Sequence, residues 1–337
     1  MLPFGSMVLS MSLNEKYYTA AHFQLDKRRE YNRAMEEKRR DEVLKKLPEY
    51  GQLEARLALT ASNIAPAILS HEGNITELIE ELRRDNLNIQ KNMRELLAAG
   101  GFPADYLDPI YTCPICKDKG CADGKWCGCF MKLVYAAASK DMNEQAAMSL
   151  SRFVDFDLNL YPDVPCPDNP SVSQRTAMTE VFTRCFKFAE DFDGSENGIL
   201  MMGATGLGKT HLSLAIANRV IERGYSVIYG SVPELLRTLN NEQFGRSGGD
   251  TMSLLTGCDL LVLDDLGAEN SSDYNLSQVY EIINARVNRR LPMIVSTNLL
   301  IRELTDRYSD RICSRLFSMY KMLFYGTDNR LKINQIR

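Results

Sequence analysis

Residues Gly203-Ala204-Thr205-Gly206-Leu207-Gly208-Lys209-Thr210 stand between an apolar tetrad, Ile199-Leu200-Met201-Met202, and a run with helical character that opens at His211. This arrangement leaves the backbone few choices: a short buried strand ends in a glycine-rich turn and gives way at once to a helix. The glycines let the turn fold back so that consecutive N–H groups converge on one point, where the positive end of the following helix adds to the field. The spacing therefore predicts a cradle for a nucleotide's phosphates built from Gly203 to Gly208. Lys209 would lie against the β- and γ-phosphates, Thr210 would hold Mg²⁺, and His211, the next residue into the helix, is counted with them as nucleotide-binding.

The rest of the chain is read around that turn. Its 337 residues have room for one large domain and a smaller one. A net charge of −4 argues against a uniformly cationic coat for nucleic acid but leaves room for local basic surfaces. There is no run of about 18 or more apolar residues and no basic segment ahead of the short apolar runs at the N-terminus, so no spanning helix and no secretory leader are expected. Nine cysteines, five of them between Cys113 and Cys129, suit metal binding in a reducing cytoplasm better than a disulfide framework.

Residues 14–47 lack Gly and Pro and read as a long polar helix. Its nine Lys/Arg and six Asp/Glu between Asp26 and Lys46 make a solvated face. After Gly73-Asn74, apolar residues from Ile75 to Leu97 recur on a helical period until Gly100-Gly101 stops them. Each helix has an apolar stripe to bury, against the other or against a partner protein. Next, a C-x-x-C knuckle and a C-x-C pair flank a ten-residue loop, bringing four thiolates within reach of tetrahedral Zn²⁺. The predicted ligands are Cys113, Cys116, Cys127 and Cys129. Cys121 belongs to neither close pair and is left out. So polar a stretch would need the metal as a staple.

A linking helix is expected over 131–148 and a domain-boundary loop over 149–170, whose Phe153, Phe156 and Tyr161 are placed to fold over the nucleotide base. A helix over 172–190 then leads into strands alternating with helices, the mark of a parallel sheet covered on both sides. Strands are predicted at 198–202, 226–230, 259–263, 293–296 and 321–325, with helices at 210–222, 233–239, 276–289 and 302–317. Ligands in such sheets sit at the carboxyl ends of strands. There, Asp264 and Asp265 close an apolar run, where an unpaired charge would be costly to desolvate. Asp264 is assigned to the Mg²⁺ shell through water and Asp265 to general-base work, with Glu269 a further acid that could share it. Asn298, past the strand at 293–296, can donate and accept together and so contact both the attacking water and the γ-phosphate. Arg311 and Arg315, four apart on one helix face, are either exposed salt-bridging residues or groups that reach a neighbouring subunit's γ-phosphate.

Taken together, Gly203 to Leu212, Leu261 to Gly267, Val295 to Asn298, the Arg311 to Arg315 box and Tyr325 to Arg330 resemble the AAA+ ATPases. Within them the chain is similar to the DnaC/DnaI-type bacterial replicative helicase loaders of the IstB-like ATP-binding family, whose Gram-positive branch shares the cysteine stretch followed by the Phe156 to Tyr161 loop. The resemblance implies an α/β core with a parallel five-stranded sheet between helices and no lid domain, joined to an N-terminal helical and zinc-binding domain. It divides the chain into residues 1–110, 111–150 and 151–337. It makes Lys209 and Thr210 Walker A residues, Asp264 and Asp265 Walker B, Asn298 sensor 1, Arg315 the arginine finger supported by Arg311, and Arg330 sensor 2. The cofactors implied are ATP, Mg²⁺ and Zn²⁺; the partners are a hexameric replicative helicase, single-stranded DNA and further copies of the chain. Asp rather than Glu at 265 implies slow, switch-like hydrolysis. The alternative implied is an IstB-type transposition ATPase acting on duplex DNA.

Overall fold

The computed structural model describes residues 13–70, 75–145, 151–245 and 250–329. They form two compact units, one of Phe23–Ala122 and one of Met1–His22 with Asp123–Arg337. In chain order the first elements are helices α1 (Glu15–Lys46), α2 (Pro48–Ser70) and α3 (Ile75–Ala99), then the two-stranded ribbon β1 (Cys121–Ala122) and β2 (Lys125–Trp126) and helix α4 (Gly128–Gln145). Val43, Tyr50, Ile89, Met93 and Leu97 make the apolar centre of the first unit, so α1, α2 and α3 bury their stripes against one another. Helix α2 is absent from the sequence reading because Gly51 and Pro66 lie inside it.

The second unit carries the sheet. After 3₁₀ turns at Phe153–Asp155 and Leu158–Leu160 come α5 (Gln174–Asp191), β3 (Ile199–Met202), α6 (Lys209–Glu222), β4 (Val227–Ser231), α7 (Val232–Gln243), α8 (Thr251–Gly257), β5 (Leu260–Leu266), α9 (Asp273–Arg289), β6 (Met293–Thr297), α10 (Ile301–Arg307), α11 (Asp310–Phe317) and β7 (Tyr320–Leu323). The strands lie in the order β4-β5-β6-β3-β7, every pair parallel. Strands β3 and β6 are buried along their whole length, which is why β3 and the first three residues of β6 read as apolar runs. On one face α5 and α6 supply Met178, Val181, Cys185, Leu212, Ile216 and Val220 to the core. Each such aliphatic side chain is worth about 1.5–3 kcal/mol of burial.

The helix expected over 302–317 is two helices. Tyr308 adopts extended angles (φ −111°, ψ 154°) between α10 and α11, and its hydroxyl is buried against Glu269. Helical periodicity survives such a break, because both pieces still face the core. Helix α8 is likewise absent from the sequence reading. Its seven residues are too few to show a period.

Candidate functional site

Strand order decides which loops meet. The strand bearing the glycine turn, β3, is separated from the acid-bearing β5 by β6, so the carboxyl end of β6 stands between the phosphate cradle and the carboxylates. Its residues bridge the two. Ser296, fully buried, donates its hydroxyl hydrogen to Asp264 Oδ1 and accepts from the Asp265 N–H at 3.0 Å. Asn298 Oδ1 accepts from Lys209 Nζ at 2.6 Å. The same ammonium donates to the carbonyls of Gly203 (2.6 Å) and Ala204 (2.8 Å), so its three donors span the turn and the end of β6.

The turn has the shape its glycines require. Gly206 sits at φ 79°, and a Cβ there would lie 1.9 Å from the Asp328 carboxylate. Gly208, which opens α6 at φ 89°, would put a Cβ 2.8 Å from both the Phe156 ring and the Tyr161 hydroxyl. The chain is thus packed over the turn from two sides. Tyr161, buried, donates to the Leu207 carbonyl at 2.8 Å, and the Asn329 N–H donates to the Gly206 carbonyl at 3.1 Å. Burial lifts the Tyr161 phenol above its ordinary range, so it remains a donor.

The two acids take different environments. Between Leu263 and Leu266 the β5–β6 register shifts, and Asp265 enters the left-handed region at φ 56°. A regular strand would send consecutive side chains to opposite faces; a bulge releases that constraint. Asp264 is buried and accepts from Thr210 Oγ1 at 2.9 Å and from the Tyr229 hydroxyl at 2.8 Å, both on Oδ2. Asp265 faces a cavity of about 420 Å³ that it shares with Thr205, Gly206, Gly208, Lys209, Thr210, His211 and Asn298. The 3₁₀ turns wall the other side with Asp155, Phe156, Asp157 and Leu160. His211 lies edge-on to Phe156 and within 3.0 Å of the Arg152 carbonyl. A serine-threonine hydroxyl beside a carboxylate at one end of a phosphate turn is the hard-oxygen donor set that suits Mg²⁺.

Three residues considered from sequence lie elsewhere. Glu269 is buried and committed to the Gly267 N–H (2.9 Å), Arg307 and Tyr308, so it ties the loop after β5 to the α10–α11 junction. Arg315 donates to Asn284 Oδ1 (2.6 Å) and the Arg311 carbonyl (2.9 Å), and lies over the Tyr280 ring; neither Arg311 nor Arg315 lines the cavity. Arg330 is outside the described residues. Ser296 and Asn329 lie inside stretches that the sequence reading singles out, 295–298 and 325–330, but have no role of their own in it; Tyr229 reads only as part of a strand.

The cysteine stretch is local in sequence. The thiols of Cys113, Cys116, Cys127 and Cys129 lie within 4.8 Å of one another, three of them buried, while Cys121 is exposed and apart. Four soft donors converging this closely are compatible with a tetrahedral zinc centre. Asp118 accepts from the Thr112 (2.7 Å) and Cys113 (3.0 Å) N–H groups, fixing the first knuckle.

Strand order, phosphate turn and acid pair together define an AAA+ P-loop nucleotide-binding fold. Residues 184–316 match the family model described as IstB-like ATP binding protein. The chain is similar to the replicative helicase loader DnaC of Escherichia coli strain K12, 29% identical over 132 residues covering 39% of this chain and 54% of that one. It is also similar to the replicative helicase loader DnaI of Bacillus subtilis strain 168, 25% identical over 242 residues covering 67% and 74%. The matched stretch thus spans about half of DnaC. Among solved structures, a crystal structure of DnaI aligns at TM-score 0.43 and 24% identity over 56% of this chain and 93% of that one. The family and relatives support the resemblance to a DnaC-type AAA+ helicase loader that the motifs carry.

Proposed function

We propose that this chain is an ATP-dependent loader of a hexameric replicative DNA helicase, working in the cytoplasm. The observation that carries the reading is the meeting of Lys209, Thr210, Asp265 and Asn298 in one cavity, in a chain that also holds a four-thiol cluster. ATP and Mg²⁺ would occupy the cavity. Bound Mg²⁺ supplies charge neutralisation at the β- and γ-phosphates. Lys209 binds those phosphates, Thr210 and Asp264 hold the ion and its water, Asp265 draws a proton from the attacking water, and Asn298 orients it. Phe156 and Leu160 wall the base. Arg315, supported by Arg311, reaches the γ-phosphate of a neighbouring copy, and Arg330 contacts the nucleotide of its own chain. Hydrolysis is slow and switch-like, and the ATP state self-associates.

In this reading residues 1–110 grip the helicase, residues 111–150 are stapled by Zn²⁺, and residues 151–337 form the ATPase core that touches single-stranded DNA. Eight Lys/Arg against four Asp/Glu from Arg302 to Arg337 support the DNA contact. The test is co-purification of the intact chain with the replicative helicase of its own cell, with and without ATP. Retention with ATP is expected; no retention in either state overturns the reading. Elemental analysis should find one zinc per folded chain, released on acidification as the thiolates protonate. A folded, metal-free protein refutes the site.

A second reading is an accessory ATPase of transposition, favoured by the IstB-like match over residues 184–316. Duplex DNA preferred over single strands, ATP-dependent filaments and no helicase retention would select it.

A further inference from the structure

Strand β4 is an edge of the sheet, so the backbone groups on its outer side need partners from outside the ladder. Helix α4 provides them through one side chain. Asn143 Nδ2 donates to the Val227 carbonyl at 2.8 Å, and Asn143 Oδ1 accepts from the Tyr229 N–H at 3.2 Å. The amide engages residues two apart, the repeat at which a strand presents its backbone groups to one side. Only Asn and Gln combine a donor and an acceptor in the planar form this needs.

The residue so held reaches the acid pair. Ser231 lies directly across from Asp264, and Tyr229 is two positions earlier on β4, a diagonal neighbour that a long aromatic side chain can span. Its hydroxyl donates to Asp264 Oδ2, the oxygen that also accepts from Thr210, while Ser296 takes Oδ1. With all three donors in place the carboxylate has one orientation. Without the phenol, Thr210 is its sole hydroxyl on Oδ2.

We propose that Tyr229 is a positioning residue for Asp264, and that Asn143 sets where Tyr229 stands, so that α4, the helix leaving the cysteine loop, holds one side of the Mg²⁺ site. This rests on the nucleotide reading above. Groups that orient metal-binding carboxylates typically contribute about 10–100-fold to metal affinity.

The experiment measures equilibrium binding of a fluorescent ATP analogue to the full chain, in Mg²⁺ and in EDTA. For the unaltered protein the affinity ratio between the two conditions reports the Mg²⁺ contribution. Tyr229→Phe, which keeps the ring and its packing, should lower that ratio about tenfold, leaving the EDTA affinity and the melting midpoint unchanged. Asn143→Ala should act in the same direction; if it fails to fold, Tyr229→Phe decides. An unchanged ratio in Tyr229→Phe overturns the proposal, as does an equal loss of affinity in Mg²⁺ and EDTA, which would make the tyrosine a wall of the pocket. Failure of the unaltered protein to bind the analogue at all would instead overturn the nucleotide reading.

Discussion

Asp265→Asn should abolish ATP turnover while leaving nucleotide binding intact. The substitution is unusually clean because of where the backbone lies. Asp265 holds φ 56° on the β5 bulge, a conformation that Asp and Asn tolerate and most residues resist. Asparagine therefore keeps the shape and the backbone, including the N–H bond to Ser296, and removes only the basic oxygen. Asp265→Ala would confound lost chemistry with backbone strain of about 1–3 kcal/mol. A positioned general base contributes about 10²–10⁴-fold, so single-turnover hydrolysis should fall by at least about two orders of magnitude. Equilibrium binding of ATP with Mg²⁺ should not move, since Asp264 and Thr210 are untouched. Hydrolysis at the unaltered rate would remove Asp265 from the chemistry.

Arg286→Leu should cost the fold rather than the site. This guanidinium is fully buried in α9, and its partners are main-chain carbonyls: Leu255 (2.8 Å), Cys258 (3.0 Å), Asp259 (3.3 Å) and Pro292 (2.6 Å). Leu255 belongs to the last turn of α8, and Asp259 and Pro292 directly precede β5 and β6. One side chain thus closes the end of a helix whose carbonyls have no internal partner and ties it to two strand starts. Burial pushes the Arg286 pKa down, with Cys258 the foremost opposing influence. Leucine would fill much of the space but strip the carbonyls of their charged donor, at about 1–3 kcal/mol for each one left without a partner; only the Pro292 carbonyl keeps a backbone donor, the Leu261 N–H at 3.4 Å. Some relaxation is expected, so the net loss should be about 3–5 kcal/mol. At about 2–4 °C per kcal/mol the unfolding midpoint of the ATPase core should fall by roughly 10 °C. Because Arg286 serves the amino ends of the strands and the cavity lies at their carboxyl ends, nucleotide affinity below that midpoint should be unchanged. A midpoint within about 1 °C of the unaltered protein would show that water replaces the guanidinium without penalty.

These two residues mark what could be read in advance. Asp265 announces itself, because two acids closing Leu260-Leu261-Val262-Leu263 are costly without a cation, and a chemical reason attaches to the letters alone. Arg286 does not. On α9 it is one of several arginines near the helix end, where basic residues commonly sit for the helix dipole, and nothing local separates the buried one from Arg289 and Arg290. Tyr229 is silent for the same reason. An aromatic residue in a strand reads as core, and its hydroxyl acquires meaning only when β4 is placed beside β5.

By itself, the sequence determined the alternation of strands and helices, the glycine turn and its lysine, and the cysteine pairs whose thiols converge, since all of these rest on spacings of a few residues. Tertiary structure alone decided that β6 lies between β3 and β5, that a bulge turns Asp265 into the cavity, that Arg302 to Phe317 breaks at Tyr308, and that Asn143 clasps the sheet edge. Periodicity and turn chemistry act between near neighbours along the chain. Strand order and the partners of a buried polar group depend on which distant segments bury one another most completely, which no local pattern records.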